Sequence, residues 1–418
     1  IFNKYCRSSD ELERLFRICY DKALEKTNNA TYQAMEALIH NLNTIHTTKA
    51  YEAPFACVNF GTDTSYEGRM ITKNFLEVLD VGLGRNQTPL SPISIFKIKE
   101  GINYNPTDIN YDLFKLACKV SAKRFFPNFS FIDSSFNKLY YRENDFNTEV
   151  SYMGDSIRIL ENTVDNNKSI SSKRGILSLT TINLPRLGIK HGIISNEQYS
   201  LEAFFEELEE KLNLVKDQLL ERYEIQCNKK VTNFPFLMGQ NIWIDSEKLK
   251  STDKLRKVLK HGNLSIGFIG LSECLKFLIG KHHGEDNEAQ KIGLKIISFM
   301  RKKCDEYSKK YNLNFTLIAS SNEDVCKKFL SLDKAIFGKI LGIPDDDYYT
   351  TSFHISSSYN ISIDKKIALE GPYHALTNGG HISSIELPNN SNIDDFEKFI
   401  RVMKSADFGY CSINYKKV

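Results

Sequence analysis

An α/β fold is predicted for this chain, on three observations. Short apolar runs alternate with amphipathic helical stretches along most of the sequence, which argues for mainly parallel strands joined by crossover helices. Composition is ordinary for a globular protein, with 41% hydrophobic and 26% charged residues over 418 positions. No internal repeat and no linker rich in Pro, Gly or Ser interrupts the pattern. One domain over 1–418 is therefore expected.

The elements follow in order. Residues 9–26 open with Ser9-Asp10-Glu11, and Leu12, Leu15, Phe16 and Cys19 recur at helical spacing. A second helix is predicted over 31–46, with Thr31 as its cap and Met35, Leu38, Ile39 and Leu42 on one face. A buried strand at 53–60 leads through the turn-rich Gly61-Thr62-Asp63-Thr64-Ser65 into a helix at 67–79. A strand at 92–98 and a helix at 111–125 come next. From 127 to 175 the pattern breaks into short strands and polar loops, with 162–169 an exposed loop. A strand at 177–184, a charged helix at 200–225 and a glycine-bearing strand at 264–271 follow. A helix at 288–310, a strand at 315–319 and a helix at 323–330 close another βαβ-like stretch.

Lys and Arg number 55 against 52 Asp and Glu, a net charge of +3. So even a balance gives no global attraction to nucleic acid or to an anionic membrane. No apolar run approaches the roughly 20 residues needed to span a bilayer. The first residues, Ile1-Phe2-Asn3-Lys4-Tyr5, lack both an apolar signal stretch and an initiator Met. A cytosolic piece of a longer chain is the expectation. The nine cysteines contain no Cys-x-x-Cys pair, so they read as reduced, mostly buried thiols without a zinc ribbon. No metal ligand set is predicted.

Three constellations carry possible chemistry. Lys281-His282-His283-Gly284-Glu285-Asp286 reads as a polar helix start with a capping Asp, or as an anion site. Glu370 to His381 holds two His, an Asn and a Gly-Gly pair, and reads as a shaped polar loop. Ala319-Ser320-Ser321-Asn322-Glu323-Asp324 runs from a strand end into a helix, a place where free N–H groups can meet a phosphate or where Asn simply caps.

Longer strings point further. Val58-Asn59-Phe60-Gly61-Thr62-Asp63-Thr64-Ser65-Tyr66-Glu67-Gly68-Arg69, Gly101-Ile102-Asn103-Tyr104-Asn105-Pro106 and Thr181-Ile182-Asn183-Leu184-Pro185-Arg186 stand in the same order as Lys281-His282-His283-Gly284-Glu285, Tyr348-Tyr349-Thr350-Thr351-Ser352-Phe353-His354 and Pro372 to His381. Together they resemble the class III anaerobic ribonucleoside-triphosphate reductases, from about residue 31 to 414.

The resemblance implies a ten-stranded α/β barrel of two parallel half-sheets with a central finger loop. It implies a glycyl radical made by an iron–sulfur activase that uses S-adenosylmethionine. The radical passes to a finger-loop cysteine, which abstracts the 3′ hydrogen of a ribonucleoside triphosphate. Formate, or a thiol system in some branches, is the implied reductant, and a four-cysteine zinc site accompanies the radical Gly. The implied partners are ribonucleoside triphosphates, the activase and a second copy of the chain. Substrate-site roles carry over onto His46, Asn59, Ser320, Ser321, Asn322, Glu323, Asp324, His374 and Asn378.

Departures from the family pattern change the expectation. The finger cysteine follows Met-Gly in the family, whereas Asp155 follows Met153-Gly154 here. A carboxylate does not replace a thiol as hydrogen-atom abstractor. The family Asn after Arg-Gly is Ile176, which offers no hydrogen bond. His46 is followed by Thr47-Thr48-Lys49, unlike the family segment, and the phosphate cradle keeps only the acid, Glu323, with Asp324 where the family has Gly. The family's zinc cysteines and radical Gly would fall after Val418, and its effector region before the matched strings. A chain with weak or lost nucleotide binding, no cofactor of its own and no reductase activity is expected. The alternative to a family enzyme is a reductase-like paralogue that binds nucleotide or a reductase subunit.

Overall fold

The computed structural model describes residues 9–44, 55–154, 156–193, 198–340, 348–388 and 393–415. It divides into two compact units, one of residues up to Asn128 with 413–415, the other running from Phe129 to Ser412.

In the first unit, α1 runs unbroken from Ser9 to Thr44. The break expected near residue 27 is absent for a physical reason. No Gly or Pro lies in the segment. The hydroxyls of Thr27 and Thr31 donate back to Ala23 O and Thr27 O, both at 2.9 Å, inside the helix rather than capping it. Asn28 accepts from Asn74 Nδ2 at 2.9 Å, a tertiary bond that holds the polar stretch helical. Next come β1 (Cys57–Phe60), α2 (Tyr66–Val81), β2 (Ile93–Ile98) and α3 (Tyr111–Arg124). The two strands pair in parallel, Cys57 opposite Ile93 and Phe60 opposite Phe96. Ser65 caps α2 by accepting from Gly68 N at 3.0 Å. Asn59 lies in β1 opposite Ile95.

After β3 (Asn128–Phe131), all but the first residue of which belongs to the second unit, come the single turn α4 (Ser135–Lys138) and a hairpin of β4 (Tyr152–Met153) and β5 (Ile157–Arg158). Then come β6 (Ile176–Asn183), α5 (Leu184–His191), α6 (Leu201–Cys227), and the short α7 (Pro235–Gly239) and α8 (Arg256–Leu259). β7 (Asn263–Ile269), α9 (Leu271–Ile279), α10 (Asn287–Tyr311), β8 (Asn314–Ala319) and α11 (Glu323–Phe337) follow. The chain continues with α12 (Ile363–His374), β9 (Ser383–Leu387), α13 (Ile393–Ser405) and β10 (Tyr410–Tyr415).

β6, β7 and β8 form a parallel sheet in sequence order, with β7 and β8 buried throughout. The predicted strand 264–271 ends at Ile269. Gly270 adopts φ 72°, and Leu271 opens α9, a helix the sequence reading does not contain. β10 runs antiparallel to β3, Tyr410 opposite Ser130, and β9 lies on its other side, so antiparallel pairing joins the parallel ladders of β1–β2 and β6–β7–β8. Residues 370–374, expected as loop, are the end of α12 despite Pro372. Asp286 caps α10, accepting from Glu288 N and Ala289 N, as the capping reading expects. No described helix is long and apolar enough to cross a membrane.

Candidate functional site

The C-terminal ends of the parallel strands create the site. Where β8 stops, Ser320 N donates to Phe268 O, and Asn322 then caps α11 by accepting from Val325 N at 3.1 Å. The side chains of Glu323 and Asp324 stand exposed in the first turn of that helix. Two carboxylates there complement the helix dipole and oppose an incoming phosphate.

Residues 377–380 lie alongside the end of β8. Gly379 N donates to Leu317 O at 2.8 Å, and Ala319 N donates to Gly380 O at 3.0 Å. Gly380 bridges Ile318 on one side and Ile157 of the hairpin on the other. Its φ of 134° belongs to glycine, and a Cβ there would overlap Ser156 O. The hairpin therefore seats against a glycine backbone. Arg158 N donates to Gly379 O at 2.8 Å.

Arg158 locks that seat. It is 1% exposed. Its guanidinium donates to Asn137 Oδ1 at 2.9 Å, Asn378 O at 3.0 Å, Phe136 O at 3.3 Å and Glu161 Oε1 at 3.3 Å. Asn378 is held at both ends, accepting from Leu317 N at 3.0 Å and donating to Glu161 Oε2 at 2.6 Å. A fully buried Arg so paired is rigid.

Aromatic rings carry the tip of the hairpin. Tyr152 stacks on Tyr410 with ring centroids 4.7 Å apart, and Tyr410 OH donates to Gly154 O at 3.2 Å. On the far side of the tip, Ser321 Oγ meets Ser156 Oγ at 3.3 Å. Gly154 and Ser156, the neighbours of position 155, thus sit between Tyr410 and the end of β8. Asp155 and His46 lie outside the described residues.

Beneath the tip is a buried imidazole pair. Tyr152 OH lies 3.0 Å from His381 Nε2, and the rings of His381 and His374 are 4.2 Å apart. His374 Nδ1 accepts from Gly409 N at 3.1 Å, so its proton is on Nε2, which faces Ser383 Oγ at 3.0 Å. Ser383 in turn donates to Glu370 Oε2 at 2.7 Å. Burial, reinforced by the charge of Arg158, pushes His381 down to about 3. Burial and the facing His381 and His354 hold His374 well below the usual range. Both rings are neutral at physiological pH.

Of the residues singled out in the sequence, Ser320, Ser321 and Asn378 gather around the hairpin, with Asn322, Glu323 and Asp324 on the adjoining helix start. His374 lies one layer deeper, with both ring nitrogens engaged. Ile176 stands at the other end of the sheet, opposite Asn263 and so level with Asn314, roughly 20 Å along the strands from Ser320. Asn59 belongs to the first unit. Sequence reasoning missed Arg158, Tyr152 and Tyr410. The only sequence sign of Arg158 is a lone charge in the apolar run Ile157 to Leu160. Among the described residues no group of three or more His, Cys, Asp or Glu side chains is placed to hold a metal ion.

Comparison with known proteins agrees with this architecture. The family model described as anaerobic ribonucleoside-triphosphate reductase matches residues 1–417. The anaerobic ribonucleoside-triphosphate reductase of Salmonella typhimurium is 30% identical over 395 residues, 93% of this chain and 52% of that protein. That of Escherichia coli is 31% identical over 375 residues, covering 88% and 50%. That of Enterobacteria phage T4 is 31% identical over 375 residues, covering 88% and 58%. The chain spans about half the length of these curated relatives. The crystal structure of the anaerobic ribonucleotide reductase from Thermotoga maritima with glycerol in the active site superposes with a TM-score of 0.63 at 15% identity, over 93% of this chain and 60% of that one. The B12-independent glycerol dehydratase from Clostridium butyricum gives 0.57 at 11%, over 92% and 55%. These structural likenesses give the fold, a mixed α/β architecture of the glycyl-radical type.

Proposed function

Since this chain belongs to the anaerobic ribonucleoside-triphosphate reductase family, we propose that it forms the family's ten-stranded barrel as one reductase-like domain over 1–418, with the β4–β5 hairpin as the finger loop. In this reading a ribonucleoside triphosphate is the ligand class, bound at the ends of β6 to β8, and the chain itself does not reduce it. The observation that carries the proposal is the seating of Gly154 and Ser156 between Tyr410 and Ser321. Position 155, between them in the sequence, is an Asp where the family pattern has the finger cysteine. An ionised carboxylate has no hydrogen to exchange, and a neutral one holds its hydrogen too tightly to act as a thiyl does. Ribonucleoside triphosphates are then weak ligands, because Glu323 and Asp324 repel a triphosphate.

The Thermotoga maritima reductase has been solved in complex with dATP and CTP, which supports nucleotides as the ligands to test. A radical activase and a second copy of the chain are the proposed partners, and the cytosol the proposed location. Formate, the glycyl radical and zinc are family chemistry. The described residues offer no cysteine set for zinc, and no step here runs through these groups. The test is deoxynucleotide formation with an activase, S-adenosylmethionine, formate and each of the four ribonucleoside triphosphates. No product above a no-enzyme control is expected. Deoxynucleotide made by the native sequence would overturn the non-catalytic reading.

A further inference from the structure

We propose that Tyr152 and His381 form a buried redox site, in which the Tyr152 phenol yields one electron to an outer-sphere one-electron oxidant while its proton passes to His381 Nε2. The O–H bond of Tyr152 breaks, an N–H bond forms on the imidazole, and the oxidant is reduced by one electron. A neutral tyrosyl radical and an imidazolium remain. The direction of the hydrogen bond is the first support. Thr377 O lies 3.2 Å from His381 Nδ1 and can only accept. Thr377 Oγ1, 2.9 Å from the same nitrogen, directs its own hydrogen to Tyr373 O at 3.0 Å. The ring proton is therefore on Nδ1. That leaves Nε2 as the acceptor, and Tyr152 OH donates to it at 3.0 Å. His381 starts neutral, so this nitrogen is open to the proton. Burial pushes the Tyr152 phenol above its ordinary range, so no phenolate forms first. Electron and proton leave together, which spares the buried ring a charge of its own.

The surroundings close the site. Tyr152 is 1% exposed and His381 is fully buried. A Cβ on Gly409 would come within 2.4 Å of Tyr152 OH and 2.3 Å of His381 Nε2, so backbone packs directly against the bond. Asn137 also hydrogen-bonds to the phenol. Its Oδ1 accepts from Arg158 Nε, so its amide N–H is the group that meets the phenol oxygen. Tyr410 extends the site towards the hairpin tip. Its ring stacks on Tyr152 with centroids 4.7 Å apart and planes 18° apart, close enough for the rings to exchange an electron. Its OH donates to Gly154 O, and a carbonyl takes no proton. An oxidising equivalent that reaches Tyr410 therefore comes to rest on Tyr152, the ring whose proton faces a base. This chemistry uses neither Asp155 nor a bound nucleotide, so it stands apart from the nucleotide reading.

Photolysis of the full chain with tris(bipyridine)ruthenium(II) and a cobalt(III) quencher supplies a ruthenium(III) oxidant, which returns to ruthenium(II) as the protein is oxidised. After freezing, electron paramagnetic resonance is expected to show a tyrosyl radical whose relaxation a soluble gadolinium chelate leaves unchanged. The sequence has 20 Tyr, and a radical on an exposed one, such as Tyr20 or Tyr66, would be relaxed by the chelate. With nitrogen-15-labelled histidine, the shielded radical is expected to couple to an imidazole nitrogen across the hydrogen bond. Tyr152→Phe, which keeps the ring against Tyr410, and His381→Gln, which removes the base, are each expected to lose the shielded radical. The histidine coupling in the unmodified chain decides the matter if neither variant folds. Absence of a shielded radical, a shielded radical without that coupling, or one undiminished in folded Tyr152→Phe or His381→Gln overturns the proposal.

Discussion

Gly380 faces the carbonyl oxygen of Ser156 with no room for a side chain between them. One backbone contact thereby fixes how closely the β4–β5 hairpin approaches the end of β8.

Gly380→Ala is expected to lift the hairpin from its seat. The added Cβ overlaps Ser156 O and lies 2.7 Å from Arg158 N, and φ of 134° disfavours any L side chain. A loss of about 3 kcal/mol or more is expected. Urea denaturation measures it, and a midpoint equal to that of the unmodified chain would contradict the seating.

Arg158→Leu removes the donors that Asn137 Oδ1, Asn378 O and Phe136 O accept. Leaving these buried acceptors without their donors costs about 3–5 kcal/mol. Arg158→Lys retains the charge but not the planar fork, so most of the loss is expected to persist. Thermal unfolding of the two variants side by side checks this. Full rescue by Lys would show that charge alone matters.

Stability is expected to fall with acid before the carboxylates titrate. His381 sits at about 3, and His261 and His283 at about 4, each depressed first by burial. The unfolded chain, with His near 6.5, binds more protons than the folded one below that pH. The contribution of these rings is therefore complete above pH 6.5 and is lost as pH falls towards 4 and then 3. Each ring contributes a slope of at most about 1.4 kcal/mol per pH unit. His381→Gln is expected to flatten the decline in the urea midpoint between pH 6.5 and 4.5. An unchanged slope would remove His381 from the account.

Asp324→Gly is expected to strengthen binding of a ribonucleoside triphosphate, by removing a carboxylate and a Cβ from the first turn of α11. The gain is about tenfold or less, one exposed charge being worth roughly 1 kcal/mol. Calorimetric titration at low salt reads it. Micromolar binding by the unmodified chain would contradict the weak-site reading outright.

Some of this protein is legible in its residues alone. The runs predicted at 92–98, 264–271 and 315–319 announce themselves because strands buried on both faces are mostly apolar. Asp286 before α10 and Ser65 before α2 are local signals, since a cap acts within three residues. The family strings, and the substitutions at positions 155, 176 and 324, are likewise read directly from the chain. Tertiary structure decided the rest. The continuity of α1 depends in part on Asn74 meeting Asn28, 46 positions away. The place of the hairpin depends on Arg158 reaching Asn378 O, 220 positions away, and on Tyr410 reaching Gly154, 256 away. Such bonds carry no local periodicity, because their partners are neighbours only after the chain has folded.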